Sequence, residues 1–483
     1  MNQLLSTITV SETIGELKAP ISGIAFDSRM VEPDNVFVAV RGSQSDGHQF
    51  IETAIEKGAQ AIVCETLPEH PQQGIAWLKV ADSADALGVL ASQYYGNPSS
   101  QLKLVGVTGT NGKTSTVTLL YQLFSALGYK AGLLSTVENR IVGETISTTM
   151  TTPDPLTTNA LLAEMVEAGC EYAFMEVSSH AVDQRRIAGL QFTGGVFTNL
   201  THDHLDYHRT FKAYLEAKKR FFDELPATAF ALTNLDDRNG GIMVQNSKAK
   251  VHRYSLRTLT DFKAKVIENS LTGLNMNLNG HLFFSGLIGE FNAYNLLVVY
   301  ATAMLLGAEE MEILTHLSRL KTAEGRFDYV FDSQRSIMGI IDYAHTPDAL
   351  EKVLRTIDKL RRGNVKLITV VGCGGDRDKA KRPVMARSAC NHSDQVIITS
   401  DNPRSEVPEA IIADMEQGVP EEAQDKVLSI TDRRQAIRTA CKLAAKGDII
   451  LVAGKGHEKY QEIQGVRHPF DDKQVLKEAL GIE

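Results

Sequence analysis

The chain has 483 residues, more than one hydrophobic core serves, so about three domains of ordinary size are expected. Apolar residues make up 43% and charged residues 23%, as in an ordinary globular protein. The formal net charge of −9 at pH 7 argues against a nucleic-acid binder and requires local Lys and Arg wherever an anion is held.

In chain order, residues 1–98 alternate short strands (Ile21–Phe26, Val36–Val40, Ala61–Glu65, Ala76–Val80) with helices near 47–57 and 82–95, and the turn-rich Tyr95-Gly-Asn-Pro-Ser-Ser100 closes the block. Phe26-Asp-Ser28 ends a strand and Arg41-Gly-Ser-Gln-Ser-Asp-Gly47 is a glycine-bearing turn. Each reads as an ordinary turn or as a cradle of backbone N–H groups for an anion.

Residues 99–325 alternate strands (102–107, 171–177, 193–199, 229–234) with helices (113–127, 156–168, 211–223), which predicts a parallel sheet covered on both faces. Its most informative stretch is Gly-Val-Thr-Gly-Thr-Asn-Gly-Lys-Thr-Ser at 106–115, lying between a strand and a helix. Gly109, Thr110, Asn111 and Gly112 let backbone N–H groups approach phosphate oxygens, Lys113 reaches the terminal phosphates, and the Thr114 or Ser115 hydroxyl suits Mg²⁺. The common spacing wants glycine at Val107; this chain offers Gly106 and Gly109 instead.

Polar clusters follow the next strand ends: Glu176, Ser178, Ser179 and His180, then His202, Asp203, His204, Asp206 and His208. The second cluster admits a zinc site, helix capping by Asp203 or Asp206, or a Mg²⁺ site in which Glu176 is joined by one histidine. The helix at 292–307 is apolar nearly all round and is expected to be buried. After a junction at Lys321–Asp328, residues 326–483 alternate again, with strands at Ile337–Asp342, Lys366–Gly372, Gln395–Thr399 and Asp448–Ala453. They predict a smaller doubly wound domain with ligands at the strand C-terminal ends. Cys64, Cys170, Cys373, Cys390 and Cys441 lack paired spacing, no basic residue precedes Lys18, and the apolar run at Leu296–Leu306 is too short to span a bilayer. A cytoplasmic protein without membrane insertion is expected.

Gly-Thr-Asn-Gly-Lys-Thr at 109–114, Met-Glu-Val-Ser-Ser-His at 175–180 and Asp-His-Leu-Asp-Tyr-His at 203–208 together resemble the Mur ligase family. So do Tyr214-Leu-Glu-Ala-Lys218, Asn234-Leu-Asp-Asp237, Phe291-Asn-Ala-Tyr-Asn295, Asp342-Tyr-Ala-His-Thr-Pro347, Gly374-Gly-Asp-Arg377, Asp401-Asn-Pro-Arg404 and Gly454-Lys-Gly-His-Glu458. These run in order from about Asp27 to the C-terminus. The resemblance implies an α/β fold of three domains: a small UDP-binding domain (1–98), a central P-loop-type ATPase domain (99–325) and a Rossmann-like amino-acid-binding domain (326–483).

It further implies an ATP- and Mg²⁺-dependent amide ligase of peptidoglycan precursor synthesis. ATP phosphorylates the D-Glu γ-carboxylate of a UDP-linked muramoyl dipeptide, and the amine of meso-diaminopimelate attacks the acyl phosphate. In that reading Lys113, Glu176, His204 and Lys218 are catalytic, with Thr114, Glu176, His204 and Lys218 at the metal. Lys218 corresponds to a lysine carbamylated by CO₂, which needs a neutral amine, and burial favours that form; read without the family, it is a solvated helix lysine beside Lys219 and Arg220.

ATP contacts are implied at 109–115 and at Asn234, Asn292, Asn295, Arg326, Asp342 and His345, although Asn292 and Asn295 also read as helix caps. Phe26, Ser28, Ser43, Gln44, Ser45, Thr151, Thr152, Ser178, Gln184 and Arg186 match UDP-muramoyl-peptide contacts. Arg377, Asp401, Asn402, Pro403, Arg404, Gly454 and Glu458 match the acceptor site, where Arg404 can pair with the distal carboxylate of diaminopimelate. Arg209 and Ala380 depart from the frequent family residues at positions without chemistry. A relative using L-lysine, another peptide or a folate, and a non-catalytic nucleotide-dependent scaffold, are the alternatives. The substrates are small molecules, and a monomer is expected.

Overall fold

The structure is a computed structural model describing residues 4–42, 45–148, 150–201 and 205–482, with the backbone alone at 205 and 206. It divides into two compact units, Met1–Ala264 with Tyr294–Leu317, and Lys265–Ala293 with Ser318–Glu483.

The first unit carries two sheets. In the N-terminal one, Gly23–Ala25, Asn35–Val38, Ala61–Cys64 and Ala76–Lys79 run parallel, and Glu12–Ile14 joins the Ala76–Lys79 edge antiparallel. The Asn35–Val38 and Ala61–Cys64 strands are buried along their whole length, the uninterrupted apolar pattern of strands covered on both faces. The expected helix at 47–57 begins as a 3₁₀ turn (Gly47–Phe50), because Asp46 caps His48 N, and becomes α-helical only at Ile51–Glu56.

In the second sheet Lys103–Thr108 lies at the centre, with Tyr172–Glu176 and Gly194–Phe197 as parallel neighbours. Phe230–Asn234 and Lys250–Ser255 extend one side; Ala131–Leu134 and the antiparallel Asn139–Ile141 and Glu144–Ile146 extend the other. The chain leaves the central strand for Ala131–Leu134, returns to Tyr172–Glu176, then crosses to Gly194–Phe197. That reversal opens a crevice beyond the C-terminal end of Lys103–Thr108.

Gly106 lies inside the strand, where a Cβ would come within 2.7 Å of Phe221, 2.8 Å of Phe192 and 2.9 Å of Val177. It is a packing glycine that admits the Phe211–Asp223 helix onto the sheet, and it explains the displaced glycine pattern of the loop. The apolar helix expected at 292–307 is Glu290–Leu305, with Leu296, Leu297, Val299 and Ala301 fully buried. No helix of the described residues is long and apolar enough to cross a membrane.

The second unit contains a six-stranded sheet ordered Asp328–Asp332, Ile337–Asp342, Ile449–Ala453, Leu367–Cys373, Gln395–Ser400 and Val427–Ile430, parallel except at the first pair. Leu350, Val353, Leu354, Ile357 and Leu360 recur at helical spacing on Pro347–Leu360 and join one core, while Ile437, Ala440, Val475 and Leu476 join the core on the opposite face. The arrangement is doubly wound, and its switch point brings Asp342, Gly374 and Gly454 to one sheet end. Two antiparallel hairpins, Gly273–Leu278 with His281–Ser285 and Tyr460–Ile463 with Val466–Pro469, complete the unit.

Candidate active site

The 109–115 loop leaves the central strand and enters the Lys113–Ala126 helix at the crevice. Gly109 has φ +151° and Gly112 φ +87°; a Cβ at Gly109 would sit 2.0 Å from Thr198 Oγ1, so the turn admits only glycine there. The loop is braced from the Gly194–Phe197 strand end. Asn111 N donates to Asn199 Oδ1 (3.0 Å), and Asn111 O accepts from Thr198 Oγ1 (2.7 Å) and Asn199 Nδ2 (3.0 Å). Asn234 Nδ2 donates to Thr198 O at 2.8 Å, tying the next strand end to the same brace. Asn295 Oδ1 lies 3.0 Å from where a Cβ on Gly112 would stand. Thr114 is buried, and Ser115 is partly exposed on the first helical turn.

Lys113 Nζ donates to the carbonyls of Gly109 (2.9 Å) and Thr110 (3.0 Å), and Lys218 Nζ donates to the same Gly109 carbonyl at 2.9 Å. Two lysine amines thus meet at one loop carbonyl. Lys218 is only 1% exposed and stands 4.9 Å from the Tyr214 ring, whose hydroxyl bonds Thr110 Oγ1 at 3.0 Å. The solvated-lysine reading fails for it. Its neighbour Lys219 is buried too, and pairs with Asp223 at 2.6 Å.

Glu176 ends the neighbouring strand, 1% exposed. Thr136 N donates to its Oε1 at 2.7 Å, while Oε2 is buried with no hydrogen-bond partner among the described residues. An oriented carboxylate with one open, buried oxygen fits a hard divalent cation. His202, Asp203 and His204 lie outside the described residues, as does the side chain of Asp206. His208 is buried and bonds Ser179 Oγ at 2.9 Å. Among the described residues no cluster of three metal-binding side chains is gathered.

Around Glu176 lies a polar surface. Thr152 Oγ1 donates to Glu176 O (2.8 Å), Thr136 Oγ1 to Thr151 Oγ1 (3.0 Å), and Ser178 Oγ accepts from Ala181 N to cap its short helix. Arg186 donates to Thr152 O (2.9 Å) and Gln184 Oε1 (2.5 Å), while Gln184 Nε2 donates to Tyr207 OH at 3.1 Å. Burial draws the Arg186 guanidinium below its ordinary basicity, partly offset by Asp154 and Tyr207. Thr151, Thr152, Ser178, Gln184 and Arg186 therefore come together beside the loop.

In the N-terminal sheet Phe26 is exposed and Ser28 buried, and Gly42 N donates to Ser45 O at 2.9 Å; Ser43 and Gln44 lie outside the described residues. His48 Nε2 accepts from Glu65 N (3.0 Å), so its Nδ1 carries the proton and donates to Asp46 at 2.7 Å, closing the turn.

In the second unit Asp342 ends its strand and accepts from Phe327 N at 2.7 Å. Burial pushes its carboxyl up to about 6 against the opposing pull of Arg326 and that N–H. The Arg326 guanidinium lies 4.6 Å from the Tyr343 ring, with its Nε buried and without a partner among the described residues. His345 Nδ1 contacts Tyr343 O at 2.8 Å, and burial with the Arg326 charge holds His457 down to about 4. Asn292 is not a cap: it lies within its helix and donates to Ile288 O at 2.9 Å.

At the same sheet end Asp401, Asn402, Pro403 and Arg404 follow the Gln395–Ser400 strand. Gly454 turns at φ +120° against Asp401, whose Oδ2 would lie 2.5 Å from a Cβ there. Burial works to raise the Asp401 carboxyl, but Lys455 and Arg433 outweigh it and hold it below the ordinary value. Asn402 Nδ2 donates to Glu458 Oε2 at 2.7 Å. Arg404 sits at φ +50°, its backbone bridged to the hairpin through Glu462 O (3.0 Å) and Gln464 N (2.7 Å), and its Nη1 donates to Gly375 O at 2.8 Å. Arg377 is exposed on the adjacent loop. That loop is clamped by Arg382, fully buried, which pairs with Glu406 at 2.7 Å. The Arg382 bonds, with the Asp376 N–H, hold Glu406 down to about 2.

Reading the sequence missed Thr136, Arg382 and the hairpin that grips Arg404, and gave no role to Lys455 within the Gly454–Glu458 motif. The Gln464-Gly465 pair (φ +48° and +76°) between alternating residues was a hairpin signal; Thr136 had none.

A glycine-lysine loop at the switch point of a parallel sheet, followed by a doubly wound unit, defines a nucleotide-binding α/β protein with a second ligand-binding sheet end. Family profiles described as "Mur ligase family, catalytic domain", "Mur ligase middle domain" and "Mur ligase, glutamate ligase domain" match residues 20–95, 107–303 and 325–456. The chain belongs to the Mur ligase family. It is 57% identical over 483 residues (all of both chains) to the UDP-N-acetylmuramoyl-L-alanyl-D-glutamate–2,6-diaminopimelate ligase of Phocaeicola vulgatus. It is 56% identical to the enzyme of that name from Bacteroides thetaiotaomicron over 480 residues, 99% of each. A solved structure of a ligase with the same name superposes with TM-score 0.70 at 35% identity, covering 96% of this chain and 97% of that one. A MurF ligase from Thermotoga maritima in complex with ADP shares the fold, with TM-score 0.62 at 20% identity and 100% and 99% coverage.

Proposed function

We propose that this chain is an ATP-dependent amide ligase. It joins meso-2,6-diaminopimelate to the D-Glu γ-carboxylate of UDP-N-acetylmuramoyl-L-Ala-D-Glu in the cytoplasm, during peptidoglycan precursor synthesis. The observation that carries this reading is the end-to-end likeness, at 57% identity, to ligases named for that acceptor. The unpaired, buried cysteines agree with a reducing compartment. We assign 1–98 to the UDP end, 99–325 to ATP and 326–483 to the amino acid.

A γ-carboxylate oxygen attacks the ATP γ-phosphorus and ADP leaves. The acceptor amine then attacks the acyl phosphate carbon, losing a proton as phosphate departs. The first step brings two anions together, so positive charge and directed N–H groups carry much of it. The 109–112 backbone and Lys113 hold the phosphates, with Asn234, Asn292, Asn295, Arg326, Asp342 and His345 assigned to the nucleoside. Arg186, Gln184, Thr151, Thr152 and Ser178 orient the muramoyl peptide, with Phe26, Ser28 and the 43–45 turn at uridine.

Glu176 Oε2 and Thr114 would hold Mg²⁺, joined by His204 and a carbamate on Lys218. When bound, the ion neutralises charge between phosphate and carboxylate. The carbamate forms as the neutral Lys218 amine adds to CO₂ and releases one proton. At the acceptor end, Arg404 takes the distal carboxylate and Glu458 an ammonium, with Arg377, Asp401, Asn402, Pro403 and Gly454 shaping the site. The test is phosphate release with UDP-muramoyl dipeptide and either meso-diaminopimelate or L-lysine. Tripeptide formed with diaminopimelate alone is expected; turnover with lysine alone refutes the assignment.

A further inference from the structure

Behind the Asp401–Arg404 loop lies a charge that the proposed chemistry does not use. Lys455 is completely buried, and an ammonium in that position persists only when every direction finds a partner. Its Nζ donates to Asn402 Oδ1 at 2.9 Å and to Glu458 Oε2 at 3.0 Å, and stands 5.4 Å from the Tyr460 ring.

These bonds settle which way the Asn402 amide points. Asn402 Oδ1 receives both the Lys455 ammonium and the backbone N–H of Glu462, at 2.9 Å each. Neither donor can accept a hydrogen bond, so the oxygen must face them and Nδ2 must face away. One Nδ2 hydrogen goes to Glu458 Oε2 at 2.7 Å. The second is uncommitted among the described residues, as is Glu458 Oε1. Both belong to side chains at the sheet end where Arg404 is held.

We propose that Lys455 is a positioning residue for the amino-acid acceptor, setting the polarity of its site. By anchoring Asn402 Oδ1 and Glu458 Oε2 together, it makes Asn402 present an N–H to a carboxylate and Glu458 present an oxygen to an ammonium. That pair of groups is what one end of an α-amino acid carries. Without the ammonium, Asn402 Oδ1 keeps only the Glu462 N–H and Glu458 Oε2 only the Asn402 amide, so the Asn402–Glu458 pair loses the charge that fixes its orientation. The inference rests on the acceptor reading above, because it supplies the geometry of that same site.

The test uses the full-length protein with saturating UDP-muramoyl dipeptide, comparing wild type with Lys455→Met while meso-diaminopimelate and ATP are varied in turn. The diaminopimelate KM is expected to rise about tenfold or more while the ATP KM stays within about twofold. Parallel rises in both, or a lower kcat with both KM values unchanged, overturn the inference, since a purely structural lysine would change only the folded fraction or the whole site. Wild type that cannot use diaminopimelate overturns the functional reading and this inference with it; wild-type turnover without the split overturns the inference alone. Should Lys455→Met fail to fold, Lys455→Gln carries the test, because its neutral, shorter amide fills the buried position without the ammonium that joins Asn402 Oδ1 to Glu458 Oε2. The same diaminopimelate-selective rise is expected, and an unchanged KM overturns the proposal.

Discussion

Replacing Arg404 by alanine should separate the proposed acceptor recognition from the rest of the reaction. The guanidinium donates from Nη1 to Gly375 O at 2.8 Å, which leaves Nε and Nη2 for a carboxylate. Two charge-assisted bonds contribute roughly 1.5–3 kcal/mol each, so their joint loss is about 3 kcal/mol or more, on the order of 10²-fold in kcat/KM. Lysine has no distal carboxylate and forfeits none of this. The Gly375 bond is lost for both acceptors equally and so cancels in the ratio. In a phosphate-release assay the preference for diaminopimelate over lysine should therefore fall about 10²-fold in Arg404→Ala. The ATP KM should hold, because the substitution leaves the 109–115 loop intact. Arg404→Lys keeps the charge without the fork and should fall between the two. Equal losses with both acceptors, or a parallel rise in the ATP KM, would refute the reasoning.

Three further outcomes are expected. Arg433 and Asp472 form a pair whose side chains are 0% exposed, with bonds of 2.8 and 2.7 Å. Arg433→Met strands a buried carboxylate and should cost roughly 3–5 kcal/mol in urea unfolding, most of it recovered by adding Asp472→Leu; a double variant no better than the single contradicts this. Lys218→Ala should abolish turnover, short carboxylic acids should restore part of it, and a one-carbamate mass increment on the native wild-type digest should vanish. Neither rescue nor increment would remove the carbamate from the account. Asp342, raised from 3.8 to about 6, binds its proton more tightly in the folded state. Its contribution to stability is thus fully present below the unfolded value and lost as pH rises through the folded one. Asp342→Asn, which still offers Phe327 N an acceptor, should gain in melting temperature relative to wild type from about pH 4 to about pH 7. A difference independent of pH rules this out.

Much of the fold was legible because the inner parallel strands are continuous apolar runs, several of them followed by a helix. The Pro347–Leu360 helix and the Lys103–Thr108 strand show this plainly. Less legible were strands whose pairing is local and whose faces are half wet. Leu274, Met276 and Leu278 alternate with asparagines in a hairpin strand, a period-two pattern too short and polar to stand out from a loop. At the site, the residues assigned to phosphate or metal belong to compact motifs and could be found. The residues that aim them could not. Thr136 orients Glu176 through its backbone N–H, which any residue possesses, and Arg382 and Lys455 act from full burial, where a lone cation in the sequence looks like surface. Burial likewise separates Lys218 from an ordinary helix lysine, and only tertiary packing of the Phe211–Asp223 helix on Gly106 determines it.

The most direct test of the central claim follows one oxygen atom. UDP-muramoyl dipeptide bearing a heavy-oxygen label in the D-Glu γ-carboxylate is incubated with ATP and meso-diaminopimelate, and the released phosphate is weighed by mass spectrometry. If the γ-carboxylate is phosphorylated and then displaced by the diaminopimelate amine, one labelled oxygen must appear in phosphate as labelled substrate becomes tripeptide. Phosphate without label beside tripeptide product would contradict the acyl phosphate route.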